Sequence, residues 1–281
     1  MLISVVIPTF QRNDLLARCL ESLAPGGQHD GRIYQHDSQH SSKDAFSYEV
    51  VVTDDGVEET SQNLIQREYP WAKWVAGPRR GPAANRNSGA RHTAGDWLVF
   101  LDDDCQPEPG LLRSYAEEIT KGKCKALEGS TEADRPQRRF DEVAPINVSG
   151  GNFWSCNIAI EAETFRKIGG FDEGFPFPAL EDVDFYMRVK EVTDVTFVPA
   201  AKVIHPWRQM KPFGGYRKWL VSNRYFFEKY SIKRDKAFRW NRTKLLLGTC
   251  VMDFQKLMRF SFAGCLFYLE NMWFHFRMIF I

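Results

Sequence analysis

The chain has 281 residues, and its 37 Lys and Arg against 36 Asp and Glu leave a formal charge of +1. That balance excludes nucleic-acid binding driven by bulk positive charge, because phosphate neutralisation needs a basic excess. A 43% share of hydrophobic residues beside 26% charged ones supports a large core and excludes wholesale disorder, and the six cysteines form no Cys-x-x-Cys pair, so neither a zinc ribbon nor a disulfide framework is expected.

Met1 to Pro8 carries no basic leader and no small-residue cleavage site, so it is expected to be a first strand, and a reducing cytoplasm fits better than export. Apolar, β-branched runs near 2–7, 48–53, 72–76 and 97–101 predict strands, alternating with amphipathic stretches as in a mostly parallel α/β sheet. Leu15, Leu16, Cys19, Leu20 and Leu23 fall at helical spacing, predicting a helix over 13–23 with Asn13 as its cap. The segment 25–47 is polar and aperiodic; its His29, His36 and His40 are irregularly spaced, which suits a solvated insertion better than a metal site. A second helix is expected from about Gly81 to Thr93, and Pro109 in the first turn of a third. Right-handed crossovers would line the carboxyl ends of the strands along one edge, where open α/β sheets bind ligands.

Further on, 132–148 reads as a loop and Gly151 to Ile160 as a strand, while Phe165 to Phe171 ends a short helix at glycine. Glu181 begins another helix, with Val183, Met187 and Val189 as its apolar positions. From Lys211 the composition turns aromatic and basic. Residues 243–281 read as helix, with Phe262, Leu266, Leu269, Trp273, Phe276 and Phe280 on one stripe and Lys256, Glu270 and Arg277 on a polar one. Such a helix packs on the domain or a partner subunit, or lies on a membrane surface; no uncharged run approaches the ~20 residues a span needs.

The chemistry concentrates where Leu98-Val99-Phe100-Leu101 runs into Asp102-Asp103-Asp104. Three adjacent carboxylates at a strand end repel one another unless a cation compensates them. Strand alternation would turn Asp102 and Asp104 to one side, and hard oxygen ligands favour Mg²⁺ or Mn²⁺. A second acidic strand end, Thr53-Asp54-Asp55-Gly56, is suited either to accepting from a nucleobase imide or to closing an Asx turn.

With these motifs in view, the sequence resembles the GT-A fold glycosyltransferases of family 2. The resemblance rests on Val5-Val6-Ile7-Pro8-Thr9-Phe10, Val52-Thr53-Asp54-Asp55-Gly56, Ala84-Asn85-Arg86-Asn87-Ser88-Gly89, Gly95 to Asp104, Gly169-Gly170-Phe171-Asp172-Glu173, and Glu181-Asp182-Val183-Asp184-Phe185 with Arg188, in family order over about 2–205. It implies a Rossmann-like, mostly parallel sheet flanked by helices over 1–210, with a nucleotide-binding half at 1–104 and an acceptor-binding half at 105–210, followed by an aromatic-rich helical extension at 211–281. It further implies that Thr9 and Asp54 hold the base and ribose of a nucleotide-sugar donor, UDP by default, with Arg80 or Arg86 near the pyrophosphate and Pro8 and Asn87 also in the donor site. Asp102 and Asp104 would bind Mn²⁺ or Mg²⁺, Asp103 would contact ribose or sugar, and Asp182 of the Glu181-Asp182 pair would be the base of an inverting displacement. Repulsion within that pair should raise one of the two pKa values.

His205 suits a metal or phosphate contact as well as a structural role beside Pro206. Trp154 and Asn157 suit the wall of a glycan or lipid-linked glycan acceptor site, and a core role equally. Val57 stands where the family often has a small hydroxyl residue, and Lys236 before Arg239-Trp240 breaks the Gln-x-x-Arg-Trp element of processive synthases, favouring transfer of a single sugar. A sugar-phosphate nucleotidyltransferase would need a Gly-x-Gly-Thr-Arg loop where Pro8 to Arg12 stands. A catalytically silent nucleotide-sugar or glycan-binding domain would not need so many carboxylates.

Overall fold

The computed structural model describes residues 1–28, 31–33, 46–211 and 215–281; His29, His36 and His40 lie outside them. In chain order the elements are β1 (Leu2–Thr9), α1 (Asn13–Leu23), β2 (Gly31–Ile33), β3 (Phe46–Asp54), α2 (Gln62–Glu68), β4 (Lys73–Ala76), α3 (Pro82–Arg91), β5 (Trp97–Leu101), β6 (Gln106–Pro107), α4 (Leu111–Thr120) and β7 (Ala126–Ala133). They continue as β8 (Glu142–Val143), β9 (Asn157–Glu161), α5 (Ala162–Lys167), α6 (Glu181–Lys190), β10 (Val195–His205), β11 (Arg208–Gln209), α7 (Gly215–Lys229), α8 (Lys236–Arg259) and α9 (Cys265–Met278).

These residues form two compact units. The larger comprises Met1–Ala133, Pro145–Glu173 and Glu181–Pro206; the smaller comprises Asp134–Ala144, Gly174–Leu180 and Trp207–Ile281. Two short segments that the sequence places within 1–210 therefore join the helical unit.

The larger unit is built on a sheet ordered β2-β3-β1-β5-β9-β7-β10-β6, with β4 also beside β3. Strands β1, β3, β4 and β5 run parallel, β9 is antiparallel to β5 and β7, and β10 is parallel to β7. Strand β1 is apolar on successive residues because both its faces are covered. Ile3, Val5 and Ile7 join Leu16, Leu20 and Leu23 of α1 in one core cluster, whereas Val6 joins Phe100, Phe165, Phe171 and Phe185 on the other face. The chain passes from β1 to β3 on one side and later to β5 on the other, so the topological switch point lies between β1 and β5.

Several local expectations are corrected. Arg12, not Asn13, is the residue before α1, and Asn13 donates to Glu59 Oε1 at 3.0 Å. Pro109 precedes Gly110, the cap of α4, and so stands outside its first turn. The 25–47 segment contributes β2, and 132–148 holds the end of β7 and all of β8. The strand foreseen from Gly151 begins only at Asn157, because Gly151, Asn152 and Phe153 donate their backbone N–H groups to the Glu128 carboxylate instead of a neighbouring strand. On α6, Val183 and Met187 face outward, and the inner face is Asp184, Phe185 and Val189. Asp184 is buried there because Arg188 pairs with it at 2.7 Å while donating to the carbonyls of Ile168 and Gly170 beyond α5.

The smaller unit contains the three C-terminal helices. The single helix expected over 243–281 is broken at 260–264, where Ser261, Phe262 and Gly264 take positive φ. At Gly264 (φ 100°) a Cβ would also meet the Asp141 backbone at 2.7 Å. Its small core is Phe140, Tyr216, Leu257 and Phe267.

Candidate active site

The carboxyl ends of β1, β3, β5 and β10 and the start of α6 bring Thr9, Asp54, Asp102, Asp103, Asp104, His205, Glu181 and Asp182 to one edge of the larger unit. Asn85 fixes the first two strand ends by donating to the carbonyls of Thr53 at 2.9 Å and Thr9 at 3.3 Å. Pro8 lies opposite Thr53 in the β1–β3 ladder, whereas the β1–β5 ladder stops at Val6 and Phe100.

Beyond Leu101 the chain leaves the strand and turns, so the alternation expected of the three aspartates does not apply. Asp102 faces Arg86, whose Nη2 donates to Asp102 Oδ1 at 2.7 Å. Asp103 accepts from Thr9 Oγ1 at 2.7 Å and pairs with Arg12 at 2.6 Å. Asp104 receives the other Arg12 nitrogen at 3.2 Å and lies 3.2 Å from His205 Nε2. Burial pushes the Asp103 carboxyl up to about 7, against the pull of Arg12 and Thr9. Arg12 is a residue the sequence did not single out: it follows the first strand in an irregular turn, and its aspartate partners are some ninety positions away.

Arg86 is the hub of the side that holds Glu181 and Asp182. Its Nη1 lies 3.6 Å from Glu181 Oε1 while Nη2 holds Asp102. Burial works against its charge, but Asp102, Asp182 and Glu181 outweigh that and keep the guanidinium protonated. Glu181 is pushed up to about 8, by burial first and by repulsion from Asp182 second. Asp182 is also raised by burial, and Arg86 and hydrogen bonds from Ser155 oppose the rise. Both carboxyls of the pair are thus raised, and desolvation outweighs repulsion as the cause. One oxygen of Asp182, Oδ1, is buried without a hydrogen-bond partner among the described residues.

Ser155 reaches Asp182 because the loop before it is pinned. Glu128 on β7, nearly fully buried, accepts from Asn147 Nδ2 at 3.1 Å, from Asn152 N at 3.2 Å, from Phe153 N at 2.8 Å and from Gly151 N. One carboxylate thus organises a four-donor turn two residues before the serine. The sequence offered no signal for it beyond an acidic residue inside an otherwise buried-type strand.

Other expected site residues take different places. Asp54 accepts from Gly56 N, Ser61 N, Ser61 Oγ and Trp74 Nε1 at 2.5 to 3.3 Å, closing its own loop as an Asx turn; Asp55 beside it accepts from Arg79 N at 2.8 Å. Asn87 clamps Phe171, donating to its carbonyl at 2.8 Å and accepting from its N–H at 2.9 Å. Arg80 is exposed and pairs with Glu173 at 2.8 Å. Asn157 is buried, donating to Ser130 O and Ala201 O and accepting from Tyr115 Oη at 2.8 to 2.9 Å, so it is a stitch in the core and lines no acceptor surface. Trp154 packs, half-buried, against the larger core cluster.

A divalent cation can be tested against this edge. Among the described residues one grouping offers three ligand atoms within 4.8 Å of one another, from Asp104, Cys105 and His205. His205 Nδ1 lies 2.7 Å from Pro206 O, a pure acceptor, so Nδ1 carries the proton and Nε2 is the nitrogen directed at Asp104. The 3.2 Å between Asp104 Oδ1 and His205 Nε2 matches adjacent ligands on an ion with bonds of about 2.1 Å. The Cys105 thiol is pushed up by hydrogen bonding to Cys156 and by burial, so it stays neutral and is a poor third ligand. Asp104 and His205 therefore fit such an ion.

The residue pattern that defines "Glycosyl transferase family 2" matches residues 4–168, and that of "Glycosyltransferase like family 2" matches 152–241. The chain belongs to glycosyl transferase family 2. This family 2 chain is 27% identical over 215 residues to an uncharacterized glycosyltransferase of Haemophilus influenzae, covering 69% of this chain and 64% of that one. It is 27% identical over 231 residues to validoxylamine A glucosyltransferase of Streptomyces hygroscopicus subsp. limoneus, covering 67% and 48%. The chain thus spans less than two thirds of these relatives. Among solved structures, S. aureus TarS 1-349 in complex with UDP-GlcNAc superposes with a TM-score of 0.56 at 18% identity, covering 80% of this chain and 65% of that one. GalNAc-T7 with UDP, GalNAc and Mn²⁺ superposes with a TM-score of 0.55 at 18% identity, covering 74% and 43%. The GT-A fold expected from the sequence is the fold found.

Proposed function

We propose that this family 2 chain transfers a single sugar, with inversion, from a nucleoside-diphosphate sugar to a hydroxyl of a glycan or lipid-linked glycan acceptor. The observation that carries the proposal is the cluster of five carboxylates at the switch point of the sheet, Asp103, Asp104 and Glu181 buried and Asp102 and Asp182 half-buried, which among the described residues pair with the guanidiniums of Arg12 and Arg86 and with His205. Such a concentration of carboxylates is costly in an idle fold and useful where a cation and a diphosphate are to be gathered.

Asp104 and His205 are the residues that would hold Mn²⁺ or Mg²⁺, while Asp102 is held by Arg86. When bound, such an ion supplies charge stabilisation for the departing diphosphate. Arg86, held protonated, adds a fixed positive charge next to that position. Thr9 orients Asp103 toward the donor, and Asp54 shapes the base pocket through its loop, leaving Asp55 as the carboxylate better placed to meet a nucleobase. Asp182, desolvated and held by Ser155, takes the acceptor proton as the hydroxyl attacks. Trp154 is retained as an acceptor contact by stacking, while Arg80 and Asn87 act on the edge through Glu173 and Phe171.

UDP as the nucleotide is supported by the UDP and UDP-GlcNAc named with the two structural neighbours. A polymeric or lipid-linked acceptor is supported by the poly(ribitol-phosphate) β-glucosyltransferase of Bacillus spizizenii and the GalNAc(5)-diNAcBac-PP-undecaprenol β-1,3-glucosyltransferase of Campylobacter jejuni among its relatives. The proposal is tested by a thermal-shift panel of UDP, GDP, TDP and CMP with and without Mn²⁺, followed by transfer from the stabilising donor. Asp182→Asn is expected to fold and to bind the nucleotide while transfer falls at least about a hundredfold. Undiminished transfer in that variant refutes the assignment of the base; binding without turnover in the unaltered protein refutes the enzyme reading.

A further inference from the structure

The smaller unit carries an apolar surface that the proposed transfer does not use. Within it, α8 and α9 form an antiparallel hairpin. Its seam is marked by Asn271 donating to Asp253 at 2.6 Å, Cys250 Sγ against Met272 Sδ at 2.8 Å and Tyr268 Oη donating to Cys250 O at 3.4 Å. Helix α7 and Phe140 pack on one side of this hairpin, through Tyr216 and Trp219 against Phe267 and Phe274, and through Phe140 against Phe267 and Tyr268.

The other side is left open among the described residues. On α8, Trp240, Lys244, Leu247, Val251, Phe254 and Met258 recur at alternating spacings of four and three; the stripe Phe262, Leu266, Leu269, Trp273, Phe276 and Phe280 does the same along α9 and its flanks. At about 100° per residue, each stripe lies roughly 110–130° round from the seam in the same rotational sense. In an antiparallel pair this turns both stripes to one side, opposite α7. They are exposed there: Trp240 61%, Leu247 62%, Val251 60%, Leu269 60% and Phe276 50%.

Charge identifies the occupant. Residues 207–281 hold 15 Lys and Arg against 4 Asp and Glu, a net of +11, while the other 206 residues hold 22 against 32, a net of −10. Both tryptophans of the open face carry a cation on the ring: Lys244 Nζ lies 5.2 Å from the Trp240 centroid and Arg277 lies 5.8 Å from that of Trp273. A second copy of so positive a unit is repelled, whereas an anionic lipid surface is attracted, and tryptophans flanked by Lys and Arg are the side chains that settle at a headgroup boundary. No helix among the described residues is long and apolar enough to cross a membrane. We infer that the α8–α9 face docks, lying in plane, on a bilayer containing anionic phospholipid.

The test uses the full chain in sedimentation with vesicles of phosphatidylcholine alone or mixed with an equal part of phosphatidylglycerol. The chain is expected to sediment with the mixed vesicles and to be released by high salt, with at least about tenfold weaker partitioning onto the neutral ones. Lys244→Glu with Arg277→Glu should weaken binding by roughly fivefold or more per site, and Leu247→Glu with Leu269→Glu should remove it while the melting temperature holds. Equal binding to both vesicle types, or binding that neither pair of substitutions changes, overturns the inference. So does a stable dimer in light scattering that Leu269→Glu dissociates and that ignores vesicles, which would give the face to a second copy.

Discussion

The two compact units put charge and apolar surface to opposite uses. The larger buries its charges: Asp103, Asp104, Glu181 and Arg86 sit in the interior of a net-negative sheet domain. The smaller exposes its apolar side chains: Trp240, Leu247, Leu269 and Phe276 face outward from a net-positive helical one. Each arrangement inverts the ordinary rule that apolar groups go inside and charges outside. An inversion of that kind marks a surface built for something other than stability, and substitutions at the two places should therefore differ sharply in their thermodynamic cost.

The largest effect is expected at the hub. Arg86→Met leaves Asp102 and Glu181 without their buried partner and should lower unfolding free energy by about 3–5 kcal/mol, measured by urea titration; a loss below about 1 kcal/mol would show that the edge is wetter than the structure implies. Next comes pH. Glu181 binds its proton more tightly folded than unfolded, so the stability penalty grows as pH rises above the ordinary 4.5 and levels off past about 8, where the folded group ionises. The protein should melt several degrees lower at alkaline than at weakly acidic pH, and Glu181→Gln should flatten that dependence.

Smaller again is the loop pin. Glu128→Gln keeps the shape but replaces a charged acceptor of three backbone N–H groups, and should cost about 1.5–3 kcal/mol with a fall in kcat larger than any change in donor affinity. The smallest effect belongs to the other region: Leu247→Glu on the open helix face should shift stability by no more than about 0.5 kcal/mol in chemical denaturation. A large loss there would erase the contrast between the units.

How much of this was legible in the sequence depends on whether the signal was local. The bounds of α1 and β5 emerge as expected because Leu15, Leu16, Cys19, Leu20 and Leu23 repeat at helical spacing and Trp97 to Leu101 is an unbroken buried-type run. The aspartates after β5 and the acidic start of α6 were visible for the same reason. Periodicity reveals the apolar positions of α6 but not which way each turns: Val183 and Met187 face outward, and the Asp184–Arg188 pair holds the inner side. Contacts distant in sequence left no trace: Arg12 to Asp103 and Asp104, Asn87 to Phe171, Asn157 to Ala201, and Glu128 to its loop. The break at 260–264 was hidden because the apolar stripe continues through it, and only Gly264 hints at the positive φ.

Pro8 has one more consequence. Thr9 turns its carbonyl toward β3, where Asp55 N donates to it at 3.0 Å, so the preceding residue is directed toward β5. Proline has no hydrogen to offer there. A zip between the two central strands thus halts by composition rather than by collision, and the fork beyond it remains open whether or not anything fills it. An alanine at that position would hand the zip another tooth and draw the first turn after β5, with Asp102, toward β1.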